Sequence, residues 1–338
     1  MKAAKYEGKE KLSIADIPKP TPQEDEVLVK VIYTGICGSD LESYKTGLYP
    51  VPVVMGHEIL GSIVEVGDKI KNWKIGDRIT YNMSISCGKC LSCQRGDVHI
   101  CYDEFRELGI YKDGGFAEFV AINEKNLVAV PDSIPDKHGT IFEQLATCIQ
   151  SVRTSGITKE DSAVVIGLGT IGQFIMQYLK YLGIKNLMVI DRNPNRLEIA
   201  KKFNPDIALT KISLPKIKGA TKRFGADFVF ECTGNPAVIN TSSSILRKGG
   251  SLIQVGISDV PFNFNFLPFI KNQNIIQGIY AWTPKDFELA IDLVARKIID
   301  PELIVTNIIP LDDIVEKGFY EAIKPDTKEI KILVDPYK

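Results

Sequence analysis

The stretch Ser162–Gly183, "SAVVIGLGTIGQFIMQYLKYLG", changes its hydrophobic period partway along. Ala163 to Ile166 form a short unbroken apolar run, as in a strand buried on both faces. From Ile171 onward the apolar residues recur as Ile171, Phe174, Ile175, Tyr178, Leu179 and Leu182, which is one face of a helix. Between the two lie Gly167, Gly169 and Gly172, spaced G-x-G-x-x-G. The next apolar run, "NLMVID", ends at Asp191. A lone glycine triplet says little. A triplet with a strand before it, a helix after it and an acid at the end of the next strand describes a unit that binds a dinucleotide.

Each glycine has its own reason there. The first permits the tight turn, the second lets the backbone approach a pyrophosphate, and the third lets the helix pack close to the strand. The helix N-terminus, with Thr170 and Ile171 in its first turn, then faces the phosphates. Asp191 can accept hydrogen bonds from the adenosine ribose and would repel a 2′-phosphate, so NAD is expected rather than NADP. Arg192 is the residue that could hold such a phosphate. Arg196 either flanks the ribose or is a solvated helix residue. Further strands are read at 227–232, 251–256 and 274–280, separated by helical segments, which implies a doubly wound parallel sheet of α/β class. Ligands bind outside the carboxyl ends of such strands, so Thr233, Val255 and Ile257 should border the cofactor.

A second stretch, "CGKCLSCQRGDVHIC", puts Cys87, Cys90, Cys93 and Cys101 within fifteen residues, four of the seven cysteines in the chain. Four thiolates satisfy a tetrahedral zinc ion with no position left for water, which makes a structural site. A third, "CGSDLESYKTGLYPVPVVMGHE", holds Cys37, His57 and Glu58, zinc-competent ligands of mixed type that leave a position open, the pattern of a catalytic site. Tyr44, Lys45 and Tyr49 lie on the loop between them.

The joint set of "CGSD", "GHExxGxxxxxGxxI", the four-cysteine lobe and "DGGFAEF" (Asp113–Phe119) resembles the zinc-dependent medium-chain dehydrogenases over essentially the whole chain. The resemblance implies a GroES-like, mostly-β catalytic domain holding two zincs, with a Rossmann-like domain inserted in it. Boundaries are expected at 1–147 with 281–338 for the first and 148–280 for the second. It implies that Cys37 and His57 are ligands of the catalytic zinc, with Glu58 a ligand or a close neighbour of one. Glu143, in "IFEQLATC", stands where the sorbitol dehydrogenase branch carries a glutamate, although Gln144 replaces the usual proline. Ser39 would take the proton from the substrate hydroxyl, and Asp40 would orient His57. The implied reaction is reversible oxidation of a secondary alcohol, most of all a polyol or sugar, with hydride passing to NAD. Sugar phosphates and simple secondary alcohols are the alternatives. Glu42, where threonine dehydrogenases of this family carry histidine, argues against threonine.

The chain has 338 residues, 44% hydrophobic and 25% charged, with a formal net charge of -1. That length suggests two domains. The even charge gives no electrostatic footprint for nucleic acid or an anionic membrane. No secretory leader or long apolar run is seen, so a reducing cytoplasm is expected, where clustered cysteines bind metal rather than pair. The chain is expected to be a homo-oligomer, a dimer or tetramer.

Overall fold

The computed structural model describes residues 1–83, 86–102, 107–258 and 261–338. The chain divides into two compact units: Met1–Glu143 with Thr283–Lys338, and Gln144–Trp282. The division lies at 143/144 and 282/283, where the resemblance implies 147/148 and 280/281. It lies earlier at the first crossing because a single helix, Phe142–Ser155, begins in one unit and continues in the other.

The first unit is mostly β. Its main sheet runs, in order, Val305–Pro310, Lys331–Asp335, Glu26–Gly35, Glu58–Val66, Arg78–Tyr81 and Leu127–Ala129, and Phe119–Asn123 also pairs with Glu26–Gly35. The period of two in Glu26–Gly35 sends Val27, Val29 and Val31 into a core with Ile59, Ile63 and Ile79. A second core gathers Tyr6, Tyr44, Tyr49, Met55, Phe116 and Phe319 beneath a small sheet of Lys2–Gly8, Lys11–Asp16 and Val53–Val54. Tyr44 belongs to this core. It meets Phe319 edge-on at 5.2 Å, and its hydroxyl donates to the Glu10 carbonyl. Both C-terminal strands are needed to complete the main sheet, which is why the chain must return after the inserted unit.

The second unit is a six-stranded parallel sheet in the order Ile207–Leu209, Asn186–Ile190, Ser162–Ile166, Ala226–Glu231, Leu246–Gln254, Ile275–Gly278. Numbered along this unit the order is 3-2-1-4-5-6, the doubly wound arrangement whose switch point lies beside its first strand. Ser162–Ile166 is buried throughout. The helix Thr170–Tyr181 turns Phe174, Ile175, Tyr178 and Leu179 inward. Full burial of such side chains stabilises by about 1.5–3 kcal/mol each. The strand Ile207–Leu209, of three residues, is too short to show a period in the sequence. Among the described residues, no helix is long and apolar enough to cross a membrane.

Candidate metal centres and cofactor site

The turn 87–101 carries one short helix, Leu91–Gln94, and a 3-10 turn, Val98–Ile100. Together they fold Cys87, Cys90, Cys93 and Cys101 onto one point, with all four sulfurs within 4.8 Å of one another. The Sγ separations are 3.4 Å for Cys90–Cys93, 3.8 Å for Cys90–Cys101 and 3.9 Å for Cys87–Cys93. A tetrahedron with Zn–S bonds of about 2.3 Å has edges of roughly 3.8 Å, and none of these cysteines is in a disulfide. Backbone N–H groups favour the thiolate at Cys87 and Cys90, whereas burial and the neighbouring thiols push Cys93 up to about 11. The N–H groups of Lys89 and Cys90 hold the Cys87 thiol below its usual value, and those of Cys93 and Tyr102 bring Cys90 down to about 6. The lobe therefore fits a metal with four soft donors.

The second cluster is assembled from distant segments. Cys37 caps the helix Gly38–Thr46. His57 directly precedes the strand Glu58–Val66, and Glu143 is the second residue of Phe142–Ser155. Their donor atoms, with a Glu58 oxygen, also lie within 4.8 Å of one another. Asp40, fully buried, accepts the Cys37 N–H through Oδ2 at 3.0 Å, while its Oδ1 stands 3.5 Å from His57 Nδ1. That Nδ1 and Oδ1 are buried with no other partner, so each is the natural complement of the other. The opposite nitrogen, Nε2, faces Glu143 Oε2 at 3.6 Å.

The electrostatics describe a site short of positive charge. Burial pushes the Glu143 carboxyl up to about 7 and the Asp40 carboxyl up to about 6, against the pull of His57. Burial also raises the Cys37 thiol. It disfavours charge on His57, yet Asp40, Glu143 and Cys37 together hold the imidazole well above its ordinary value. A divalent cation would relieve all of these at once, and a thiolate, an imidazole and carboxylates suit zinc. When bound there, the metal supplies Lewis-acid polarisation of a substrate oxygen.

One residue of this centre escaped the sequence. Lys331, on the last strand and 2% exposed, donates to both Glu58 oxygens at 2.7 Å. Tyr49, one of the tyrosines between Cys37 and His57, is buried with its hydroxyl beside Ser39. Ser39 lies half-buried in the first turn of the helix Gly38–Thr46, whereas Lys45, in the last turn, is exposed.

In the parallel-sheet unit the glycines divide their tasks. Gly167 has φ +90°, and a Cβ on Gly172 would sit 1.8 Å from the Gly167 carbonyl oxygen. Gly169, the N-cap of Thr170–Tyr181, faces open space, with only Arg196 Nη1 at 3.9 Å from the same construction. Asp191, buried at the end of its strand, accepts Leu168 N–H at 2.6 Å and Asn193 N–H at 2.7 Å, which locks the glycine turn to the acid. Arg192 is exposed, and Arg196 is half-buried with Nε unpartnered. Thr233, Val255 and Ile257 fall on adjacent turns after Ala226–Glu231 and Leu246–Gln254. The fully buried Glu231, unforeseen in the sequence, organises those turns. It accepts from the N–H groups of Thr233 at 2.8 Å and Gly234 at 3.0 Å, and from Gln254 Nε2 at 2.7 Å. Cys148 is fully buried, its thiol donating to the Ile171 carbonyl at 3.2 Å.

Comparison with known proteins agrees with this construction. Residues 23–132 match the alcohol dehydrogenase GroES-like domain, and residues 170–296 match the zinc-binding dehydrogenase domain. The chain belongs to the zinc-dependent medium-chain dehydrogenases, uses zinc and a nicotinamide dinucleotide, and oxidises or reduces at a CH–OH group. Within that family its relatives include polyol enzymes. It is 33% identical to a sorbitol dehydrogenase of Halalkalibacterium halodurans, over 96% of this chain and 95% of the other. It is 31% identical to a D-arabitol-phosphate dehydrogenase of Enterococcus avium, over 97% and 95%. The solved 2R,3R-butanediol dehydrogenase of Bacillus subtilis superposes with a TM-score of 0.89 at 29% identity, covering 99% of both chains. Two further solved neighbours, each at 27% identity, TM-score 0.89 and 99% of both chains, carry dinucleotides. One, described as a short chain alcohol dehydrogenase from E. coli CFT073, holds NADH; the other, a putative zinc-binding dehydrogenase of Sinorhizobium meliloti 1021, holds NADP.

Proposed function

We propose that the protein interconverts a vicinally hydroxylated secondary alcohol, a polyol or sugar, and its ketone with NAD, using one catalytic and one structural zinc. The observation that carries this reading is the donor set of the first unit: one thiolate, one imidazole and two carboxylates around one point. A second thiolate in place of a carboxylate would make a softer metal environment with no acceptors to spare. Glu143 and the buried Tyr49 hydroxyl, beside Ser39, offer an acceptor and a donor to a neighbouring hydroxyl that a monofunctional alcohol lacks. Sorbitol, arabitol phosphate and butanediol, in the names of three relatives, are all polyols or derivatives of them.

Cys37, His57 and the carboxylates Glu58 and Glu143 make up the catalytic metal centre in this reading, with Asp40 fixing the imidazole through Nδ1. Ser39, beside Tyr49, takes the alcohol proton, since a hydroxyl both accepts and donates. Cys87, Cys90, Cys93 and Cys101 hold the structural zinc. Gly167, Gly169, Thr170, Ile171 and Gly172 cradle the pyrophosphate, Arg196 adds positive charge beside Gly169, and Asp191 selects NAD. The chain is a cytoplasmic homo-oligomer in this reading. Its thiols are all free, and Ile275–Gly278 ends its sheet with Ile275 and Ile276 exposed, an edge of the kind that association covers.

Kinetics on sorbitol, arabitol and 2,3-butanediol against 2-butanol, at matched pH, test the substrate class. The diols and polyols should lead by about tenfold or more in kcat/KM, one hydrogen bond to a charged group being worth roughly 1.5–3 kcal/mol. Equal turnover of 2-butanol would give the simple-alcohol reading its place.

A further inference from the structure

Lys331 brings a full positive charge into the metal centre from the far end of the chain. Its strand, Lys331–Asp335, lies antiparallel to Glu26–Gly35 with Leu333 opposite Gly35. The three protons of its ammonium face three acceptors: Glu58 Oε1 and Oε2 at 2.7 Å each, and the Ile36 carbonyl, next to Cys37, at 2.8 Å. Glu58 is seated from the other side as well. It pairs across the sheet with Gly35, and a Cβ at Gly35 would come within 1.9 Å of Glu58 Oε2. Only glycine leaves room for the carboxylate to lie there. Glu143 is placed differently. Its Oε2 stands 3.6 Å from His57 Nε2, close to the edge of roughly 3.4 Å expected for nitrogen and oxygen donors about 2.0–2.1 Å from one zinc.

On the reading that this cluster holds the metal, we infer that Lys331 is a positioning residue that keeps Glu58 off the metal. Cys37, His57 and Glu143 are then the three protein donors, and the fourth position stays open for substrate. Charge supports the division. A thiolate and two carboxylates balance a divalent ion plus one ammonium. Without the ammonium, the centre is over-supplied with negative charge, and Glu58 is a free carboxylate within reach of the ion. It would move onto the metal and close the position that catalysis needs.

Cobalt(II) in place of zinc reads this directly, because its visible bands are strong in four-coordinate sites and weaker in five-coordinate ones. Subtracting the spectrum of Cys37→Ser, whose cobalt fills only the four-cysteine lobe, isolates this centre. Lys331→Met should weaken the bands, slow cobalt release to a chelator by about tenfold or more, and lower kcat while Lys331→Arg restores all three. The double variant Glu58→Gln/Lys331→Met, which removes carboxylate and ammonium together, should return the wild-type spectrum and release rate. A folded double variant that loses its cobalt would make Glu58 a donor and overturn the inference. A folded Lys331→Met with wild-type spectrum and release rate would overturn it too. If Lys331→Met does not fold, the double variant alone decides. These readings need no substrate, so an error in the proposed substrate class leaves them standing. Wild-type protein that takes up cobalt only in the lobe would instead remove the metal reading on which the inference rests.

Discussion

The two donor clusters of the first unit differ in how the chain builds them. The lobe draws all its donors from residues 87–101, and a short helix and a turn suffice to converge them. The other centre draws on positions 37, 57, 58 and 143, with a buried counter-charge from 331. The local cluster is homogeneous, four thiolates and nothing else. The dispersed one is mixed, with groups whose proton affinities burial and neighbouring charges have displaced. Four like donors close a coordination sphere and can only stabilise. Mixed donors on separate elements leave a position free, and the fold has to hold each one in place. Stability at the first and chemistry at the second is the division that this contrast implies.

The largest expected effect tests the second cluster. Cys37→Ser should lower kcat/KM by about a thousandfold or more, as when a principal electrostatic stabiliser is removed, with little change in Tm. A loss below tenfold would mean that the chemistry lies elsewhere. Cys93→Ser should do the reverse. Turnover of the folded enzyme should persist at low temperature, while Tm falls by about 5 °C or more, each kcal/mol being worth about 2–4 °C in a unit of this size. Calorimetry showing an unchanged Tm would deprive the lobe of its role.

The parallel-sheet unit sets a smaller test. Asp191→Ser removes the carboxylate that would meet the ribose and should lower kcat/KM for NAD by about tenfold to a hundredfold, with a lesser effect on NADP. A wild-type preference for NADP would transfer the role to Arg192. The smallest effect concerns Asp227, which accepts from Ser162 N–H at 2.8 Å and from its hydroxyl at 2.6 Å, and also pairs with Arg247. Burial pushes the carboxyl up, but Ser162 and Arg247 outweigh it and hold it below the usual value. A depressed carboxyl stabilises the fold fully above the unfolded value near 3.9 and loses that contribution as the pH falls through the folded one. The Tm gap between wild type and Asp227→Asn, about 1–3 °C for a half-buried pair, should therefore hold from pH 7 to 5 and narrow toward pH 3. A gap that widens in acid would contradict the assignment.

What could be read before folding follows the same contrast between local and dispersed. The dinucleotide turn and the four-cysteine lobe are contiguous, so period and spacing displayed them. Cys37, His57 and Glu58 show as zinc-competent residues within one stretch, but Glu143 gains its meaning only from resemblance, because no spacing rule joins it to them. Lys331 was out of reach, since its partner Glu58 is 273 residues away and meets it only once the last strand lies against Glu26–Gly35. Nothing sets Glu231 apart within the strand read at 227–232, and only the fold reveals four donors converging on it: the Thr233 N–H and hydroxyl, the Gly234 N–H and Gln254 Nε2. Tyr44 illustrates the opposite limit. As a loop tyrosine near the ligands it was open to a pocket role, yet the core around Phe319 takes it up.

The division between the two clusters can be tested in a single preparation. Zinc per chain, measured in purified Cys93→Ser protein after exhaustive dialysis, should fall from two to one. Retention of both ions would contradict a four-thiolate site that needs Cys93, and loss of both would show that the two clusters are a single linked site.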